Sequence, residues 1–244
     1  MRTEHELYIE TNYAIIYEDD FFLAVEKPAP LPVHPVGRFK ERNLLSLLKK
    51  EWGSAVELRI VNRLDSETSG LVLVAKSSEA AGKLGILFQD RRVLKEYQAI
   101  VFGAPAPRQG KISIPLGMYA ENSQKRRTPD PAGESALTEY EVLKEYGNYS
   151  ILKIVPHTGR THQIRAHLSF IGHPIAGDKI YIRPEIFDRY VREGWQEDMR
   201  SVVKAERLLL HAVRLEFRHP YTGENLKLNS PVPPVFLKFL DPES

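Results

Sequence analysis

Three stretches of the chain hold polar side chains that packing alone does not demand. The first is Asn62-Arg63-Leu64-Asp65-Ser66-Glu67-Thr68-Ser69-Gly70, which lies between apolar segments. Asp65 therefore sits at the mouth of a strand, where rigid scaffolds present functional groups. Asp, Ser and Thr are also ordinary turn formers, but the company of Arg63 and a stiff apolar strand directly after it favours a working carboxylate. The second is Tyr97, on a half-buried strand, a position that equally suits a core tyrosine with a satisfied hydroxyl. The third is His157-Thr158-Gly159-Arg160-Thr161-His162-Gln163-Ile164-Arg165-Ala166-His167. Its histidines are spaced five and five, which turns successive rings by about 140° on a helix and puts them on opposite faces of a strand. That spacing, and the lack of any His-Glu-x-x-His, argues against a metal site. Arg165, on the polar face of the helix expected there, can pair with a carboxylate. There is no glycine-rich phosphate loop and no G-x-S-x-G elbow. A carboxylate with neither metal nor histidine base suits nucleophilic attack or proton transfer at a sugar carbon. A glycosidase would need a second acid opposite Asp65, and Glu67, in the same turn, is poorly placed for that.

The elements that must carry these residues can be read coarsely. Ala14 to Tyr17 and Phe21 to Glu26 read as strands around the turn Glu18-Asp19-Asp20. Pro28, Pro30, Pro32 and Pro35 then force an extended loop. Asn43 can cap a short helix bearing Leu44, Leu47 and Leu48. Arg59 to Asn62 leads into the Asp65 turn, and Leu71 to Ala75 predicts a strand buried on both faces. Ser77 or Ser78 starts a helix with Ala81, Leu84 and Phe88 on one side. Tyr97 to Phe102, Lys111 to Pro115, Leu137 to Leu143 and Tyr149 to Val155 read as strands, the last two joined at Tyr146-Gly147-Asn148. A helix is expected from Thr158-Gly159 to about Ile171, with Ile164, Leu168 and Ile171 buried and Arg165, His162 and Ser169 on another face. Gly172 would terminate it. Val213, Leu215 and Phe217 alternate toward a core, and Pro220-Tyr221-Thr222-Gly223 turns into a last strand near Leu226. Runs of strands with few helices predict an α+β fold with a mixed, mostly antiparallel sheet.

Composition sets the bounds. The 244 residues carry 34 basic and 32 acidic side chains, a net charge of +2. With 42% hydrophobic and 27% charged residues the chain is globular, neither disordered nor fibrous. Without cysteine there is no disulfide, thiol nucleophile or iron–sulfur site. No apolar run approaches the roughly 18 residues of a membrane span, and the first ten residues, with Glu4, Glu6 and Glu10, do not read as a secretory signal. A cytoplasmic protein, monomeric by default, is expected. Local charge says more than the total. Ile151 to Gly177 holds no acid but contains Lys153, Arg160, Arg165 and four of the eight histidines, and Lys125, Arg126 and Arg127 form a second basic cluster. Such patches can steer a polyanion at near-zero net charge, although short basic runs are as often solvated surface.

Five ordered blocks resemble the RluA family of RNA pseudouridine synthases over nearly the whole chain. Arg63-Leu64-Asp65-x-x-Thr68-Ser69-Gly70 resembles that family's catalytic motif. Tyr17-Glu18-Asp19-Asp20 through Lys27-Pro28 and Val33-His34-Pro35 resembles its first segment. Tyr97-Gln98-Ala99-Ile100-Val101-x-Gly103 is similar to its tyrosine strand. The most distinctive block is Thr158 to Leu168 with Gly172-His173-Pro174-Ile175-x-Gly177-Asp178. Leu210-His211-Ala212 and His219-Pro220-x-Thr222-Gly223-Glu224 complete the series.

The resemblance implies a pseudouridine synthase fold whose sheet forms two subdomains flanking a catalytic cleft, within a single catalytic domain spanning 1–244. Because the first block begins by about Ala14, no N-terminal S4 RNA-binding domain is expected. It implies a cofactor-free isomerase acting on structured ribosomal or transfer RNA. Asp65 becomes the catalytic carboxylate, Tyr97 the ring that stacks on the base, and Arg165 the guanidinium that pairs with the aspartate. Arg63 matches a residue that fills the space left by a flipped uridine. Arg160, His162 and the loop Lys125, Arg126 and Arg127 are candidate phosphate contacts. Asn62 stands where the family usually has histidine, so it keeps hydrogen-bonding capacity without a protonatable ring and bears on RNA contacts rather than on the aspartate chemistry. The stretch from Arg183 to Glu206 is longer than the family pattern implies and shows only loose helical order.

Overall fold

The computed structural model describes residues 7–37, 39–53, 55–121 and 124–241, with the side chains of 120–125 left aside. In chain order the first elements are β1 (Ala14–Glu18), β2 (Phe22–Lys27), α1 (Leu44–Trp52), β3 (Arg59–Ile60), β4 (Ser69–Ala75) and α2 (Ser78–Gln89). Then follow β5 (Leu94–Phe102), β6 (Gln109–Ser113), β7 (Leu116–Glu121), β8 (Gln124–Pro129), β9 (Leu137–Tyr146) and β10 (Tyr149–Pro156). The last are α3 (Gln163–Phe170), α4 (Pro184–Glu193), α5 (Arg200–Val203), β11 (Leu210–Arg218), β12 (Asn225–Asn229) and α6 (Pro234–Leu240). The fold is α+β with a mixed, mostly antiparallel sheet, and the chain divides into two compact units.

One unit comprises Ile9–Glu96 and His211–Val232. Its strands lie in the order β1-β2-β4-β11, with β12 on β11 and β3 on β4. β2 and β4 are antiparallel, from Phe22 opposite Ala75 to Lys27 opposite Gly70, whereas β4 and β11 are parallel at Ser69–His211 and Gly70–Ala212. All seven residues of β4 are buried, as the unbroken apolar run predicts for a strand covered on both faces. Phe22, Ala24, Leu71, Leu73, Leu84, Leu87, Leu215 and Phe217 form the core, each large side chain worth about 1.5–3 kcal/mol of burial. Both expected helix starts are capped. Asn43 Oδ1 accepts from Ser46 N–H at 3.0 Å and Ser77 Oγ accepts from Ala80 N–H at 3.1 Å, satisfying amides that a helix start leaves open.

The other unit is built on Tyr97–Leu210, with strand order β5-β10-β9-β6 and a separate hairpin β7–β8. Three expectations need correction here. The Lys125–Arg127 cluster is not a loop but part of β8, paired with β7 from Leu116–Pro129 to Glu121–Gln124; its basic run hides the alternation that marks a strand. The strand expected over Lys111 to Pro115 is β6, which ends at Ser113. α3 starts only at Gln163, and Gln163 through Leu168 are all buried, so its polar residues Gln163, Arg165 and His167 are covered. Arg165 is 6% exposed. The long stretch after Arg183 folds as α4, a 3₁₀ turn at Glu197–Met199 and α5, and α4 buries none of its residues. Arg189 pairs with Glu193 inside α4 at 2.8 Å and ties the helix to the following turn through Asp198 at 2.5 Å.

Candidate active site

Asp65 is half-buried on a turn closed by Thr68 N–H donating to the Asp65 carbonyl at 3.1 Å. Below the turn, the fully buried Lys27 donates from Nζ to the carbonyls of Pro28 (2.9 Å), Leu31 (2.8 Å) and Ser66 (3.0 Å). Leu31 N–H reaches the same Ser66 oxygen at 2.9 Å. An ammonium with several acceptors in a dry site is held hard, and it anchors the residue next to Asp65. On the other side, Gly70 has φ of +112°, and a Cβ there would lie 2.3 Å from the Ala212 carbonyl oxygen. Only glycine lets β4 and β11 approach so closely at the end of the turn. Ser69 Oγ is 2.8 Å from His211 Nδ1, and His211 Nε2 is 3.1 Å from Ser230 Oγ. Ser230 in turn bonds Glu26, whose carboxyl is pushed up by burial despite that bond. The result is a partly exposed acid on a backbone fixed from several directions, the preorganisation that a reacting group needs.

Asn62 is committed to the scaffold. Its Nδ2 donates to the Leu71 carbonyl at 3.2 Å, and its Oδ1 accepts from Leu73 N–H at 2.7 Å. The amide copies a peptide group and extends the edge of β4, a role the imidazole of histidine would fill differently. Arg63 is exposed and makes no hydrogen bond or ion pair among the described residues. Burial, with the nearby Arg63 charge, pushes the half-buried His34 imidazole below its usual range.

In the second unit, Tyr97 is half-buried on β5 opposite Ile154 of β10. Arg165 forms a bidentate pair with Asp178, Nε to Oδ2 at 2.7 Å and Nη2 to Oδ1 at 2.9 Å. The Asp178 side chain is wholly excluded from solvent. Burial alone would raise its carboxyl, but the Arg165 charge and hydrogen bonds, with the Tyr181 N–H, bring it below the usual carboxylate range. Arg165, expected on the polar face of its helix, is thus a buried guanidinium held by Asp178.

A knot of side chains precedes α3. Thr158 Oγ1 donates to Gln163 Oε1 at 2.6 Å, Arg160 N–H reaches the same oxygen at 3.1 Å, and Gln163 Nε2 donates to the Leu137 carbonyl and Thr138 Oγ1 at 3.0 Å each. His162 then sits in the left-handed region, φ +54°, at the head of the helix. Arg160 and Arg127 converge on Glu134, each at 2.6 Å, and Arg127 also donates to the Leu116 carbonyl. These arginines, foremost Arg127, hold the Glu134 carboxyl below its ordinary range. Arg126 lies over the Tyr119 ring, 5.2 Å from its centroid, and the Lys125 side chain falls outside the described residues. The three histidines do not converge. His157 pairs with Glu139 at 3.2 Å, His162 faces Tyr181, and buried His167 bonds Thr138 Oγ1 and the Ile114 carbonyl, with burial holding its ring below the usual histidine range. Among the described residues no group of three or more His, Asp or Glu could hold a metal ion.

Sequence reasoning assigned no role to Lys27, Asp178 or His211, although each lies in a recognisable block. Their signal was a charged or polar residue embedded where its neighbours are apolar, as in Phe22–Lys27 and Leu210–Val213.

The sequence model of the RNA pseudouridylate synthase family matches residues 21–170. Ribosomal large subunit pseudouridine synthase D of Haemophilus influenzae is 35% identical over 230 residues, covering 93% of this chain and 69% of that protein. Its counterpart in Pseudomonas aeruginosa is 37% identical over 229 residues, covering 93% and 70%. Among solved structures, human RNA pseudouridylate synthase domain containing 4 superposes with a TM-score of 0.72 at 27% identity, over 93% of this chain and 91% of that one. A match to the family over most of the chain, joined to the shared fold, means that this protein belongs to the RNA pseudouridylate synthases, isomerases that convert uridine to pseudouridine.

Proposed function

We propose that this enzyme isomerises uridine in large-subunit ribosomal RNA, with Asp65 as the reacting carboxylate. The observation that carries the reading is the Asp65 turn, a half-exposed acid whose backbone is fixed by Lys27, by Thr68 and by the close β4–β11 contact at Gly70. The relatives named for the ribosomal large subunit favour that RNA over transfer RNA. No helix among the described residues is long and apolar enough to cross a membrane; work in the cytoplasm is proposed from the ribosomal relatives.

The reaction breaks the N1–C1′ bond, turns the uracil and joins C5 to C1′; the proton on C5 is lost and N1 gains one. An ionised carboxylate can add to the sugar or the base, or take a sugar proton, and the reading does not depend on which. Uridine must leave its stack to reach Asp65, at a cost of a few kcal/mol. The exposed Arg63 has a planar guanidinium suited to fill the space left behind. Tyr97 is assigned to stacking on the base and to help in removing the C5 proton. Arg165 is assigned to keeping the reacting carboxylate charged. Its anchor on buried Asp178 supports the assignment, because a held guanidinium loses little freedom when it acts. Arg160, His162 and Arg126 are assigned to phosphates. Arg127 and Asn62 already serve protein partners, Glu134 with the Leu116 carbonyl and the main chain of β4, so any RNA contact they make is added to a structural role.

The test is to map pseudouridine across large-subunit ribosomal and transfer RNA from cells with and without this gene. Loss of sites in the ribosomal RNA supports the reading. Loss confined to transfer RNA corrects the substrate, and no loss in either RNA overturns it.

A further inference from the structure

Tyr181 takes part in none of the roles above, yet several parts of this unit's machinery meet at its side chain in the turn after Asp178. Its hydroxyl accepts from the Arg127 N–H of β8 at 3.0 Å and lies 3.0 Å from the Arg127 carbonyl, to which it donates. His162 Nδ1 stands farther from the same oxygen, at 3.4 Å; a hydroxyl has one proton to give, and the shorter contact takes it. The ring lies beside the Arg165 guanidinium, 5.2 Å from centroid to Cζ, and meets the His162 ring edge-on at 5.8 Å. It also packs against the small cluster of Leu116, Ala136 and Ala166. Its own N–H donates to Asp178 Oδ1 at 3.0 Å, the carboxylate that holds Arg165.

From this we infer that Tyr181 is a positioning residue with two separable branches. The hydroxyl clasps both main-chain groups of one residue in β8 and so sets where the β7–β8 hairpin, with Arg126 on it, stands relative to α3. The ring braces Arg165 from the side opposite in chemistry to Asp178, a π face against the cation where the carboxylate supplies the charge. Hairpin placement and guanidinium orientation are thereby set by one side chain. The inference rests on the functional reading above for what the two branches do to the reaction, but not for the contacts themselves.

The branches come apart under substitution. Tyr181→Phe keeps the ring and removes both hydroxyl bonds to Arg127; Tyr181→Leu removes the ring as well. Steady-state kinetics on a transcript of large-subunit ribosomal RNA should show Tyr181→Phe raising KM roughly fivefold with kcat within about twofold, the scale of losing neutral hydrogen bonds that act on binding. Tyr181→Leu should lower kcat as well, by roughly tenfold or more, as Arg165 loses its brace. Hydrogen exchange at the Arg127 amide should quicken in Tyr181→Phe, since that N–H loses its partner. A parental KM or a parental exchange rate in Tyr181→Phe overturns the hydroxyl branch, and a kcat in Tyr181→Leu equal to that of Tyr181→Phe overturns the ring branch. Should the parent form no pseudouridine on that transcript, the functional reading fails, and the exchange rates still decide the hydroxyl branch.

Discussion

The ammonium of Lys27 and the carbonyl of Ser66 meet at 3.0 Å inside the protein, and Ser66 is the residue next to Asp65. A buried lysine is expensive to desolvate and is kept where its charge is well partnered. Here it donates to main-chain carbonyls at Pro28, Leu31 and Ser66. It thus ties the proline-rich loop to the Asp65 turn.

Lys27→Met retains most of the buried stem and removes every donor. Because the carbonyls would be left in a dry site, the variant should lose about 2–4 kcal/mol of stability, read from urea unfolding. Pseudouridine formation should fall further than the unfolded fraction explains, since the turn bearing Asp65 is released.

Asp178→Asn tests the anchor of Arg165. Taking the Asp178 charge from a buried guanidinium should cost about 3–5 kcal/mol. The pH dependence follows from the lowered Asp178 carboxyl. Its contribution to stability is fully present above the unfolded value of 3.8 and is lost as pH falls through the lower folded value, where the native state takes up the proton. Acid unfolding of the parent should therefore carry a component in that window that is missing from Asp178→Asn.

Gly70→Ala should fail for two reasons that act together. The backbone there, at φ +112°, is one that side chains seldom adopt, and the new Cβ would fall 2.3 Å from a main-chain oxygen of β11 that cannot step aside. The expected loss exceeds about 2 kcal/mol. Gly147→Ala, at φ +55° with nothing within 4 Å, should cost only about 1 kcal/mol by the same measurement.

Much of this arrangement is legible in the residues, and what is not has identifiable causes. The caps at Asn43 and Ser77, the buried strand at Leu71 to Ala75 and the antiparallel pair around Gly147 depend on local chemistry, and they lie where the pattern puts them. The burial of Arg165 is not local. Its partner is 13 residues away across a turn, and helical periodicity reports a polar residue without reporting what covers it. The β7–β8 hairpin escapes for a similar reason: Lys125-Arg126-Arg127 interrupts the alternation, and strand pairing with Leu116–Glu121 supplies the order that propensity does not. The Asp65 turn is legible as a motif, but its anchoring by Lys27 is a long-range contact that no spacing rule contains.

Asp65→Asn is the most direct measurement, because it changes one oxygen to an amide nitrogen with almost no change of shape and leaves the turn's main-chain bonds in place. Purified variant and parent are mixed in excess with a uridine-containing transcript of large-subunit ribosomal RNA, and the digested nucleosides are counted alongside binding of the same RNA. The account predicts RNA binding within a few-fold of the parent and a fall of at least about 10⁴ in the rate of pseudouridine formation, the scale expected when a reacting group is removed. Turnover at or near the parental rate in Asp65→Asn would contradict it.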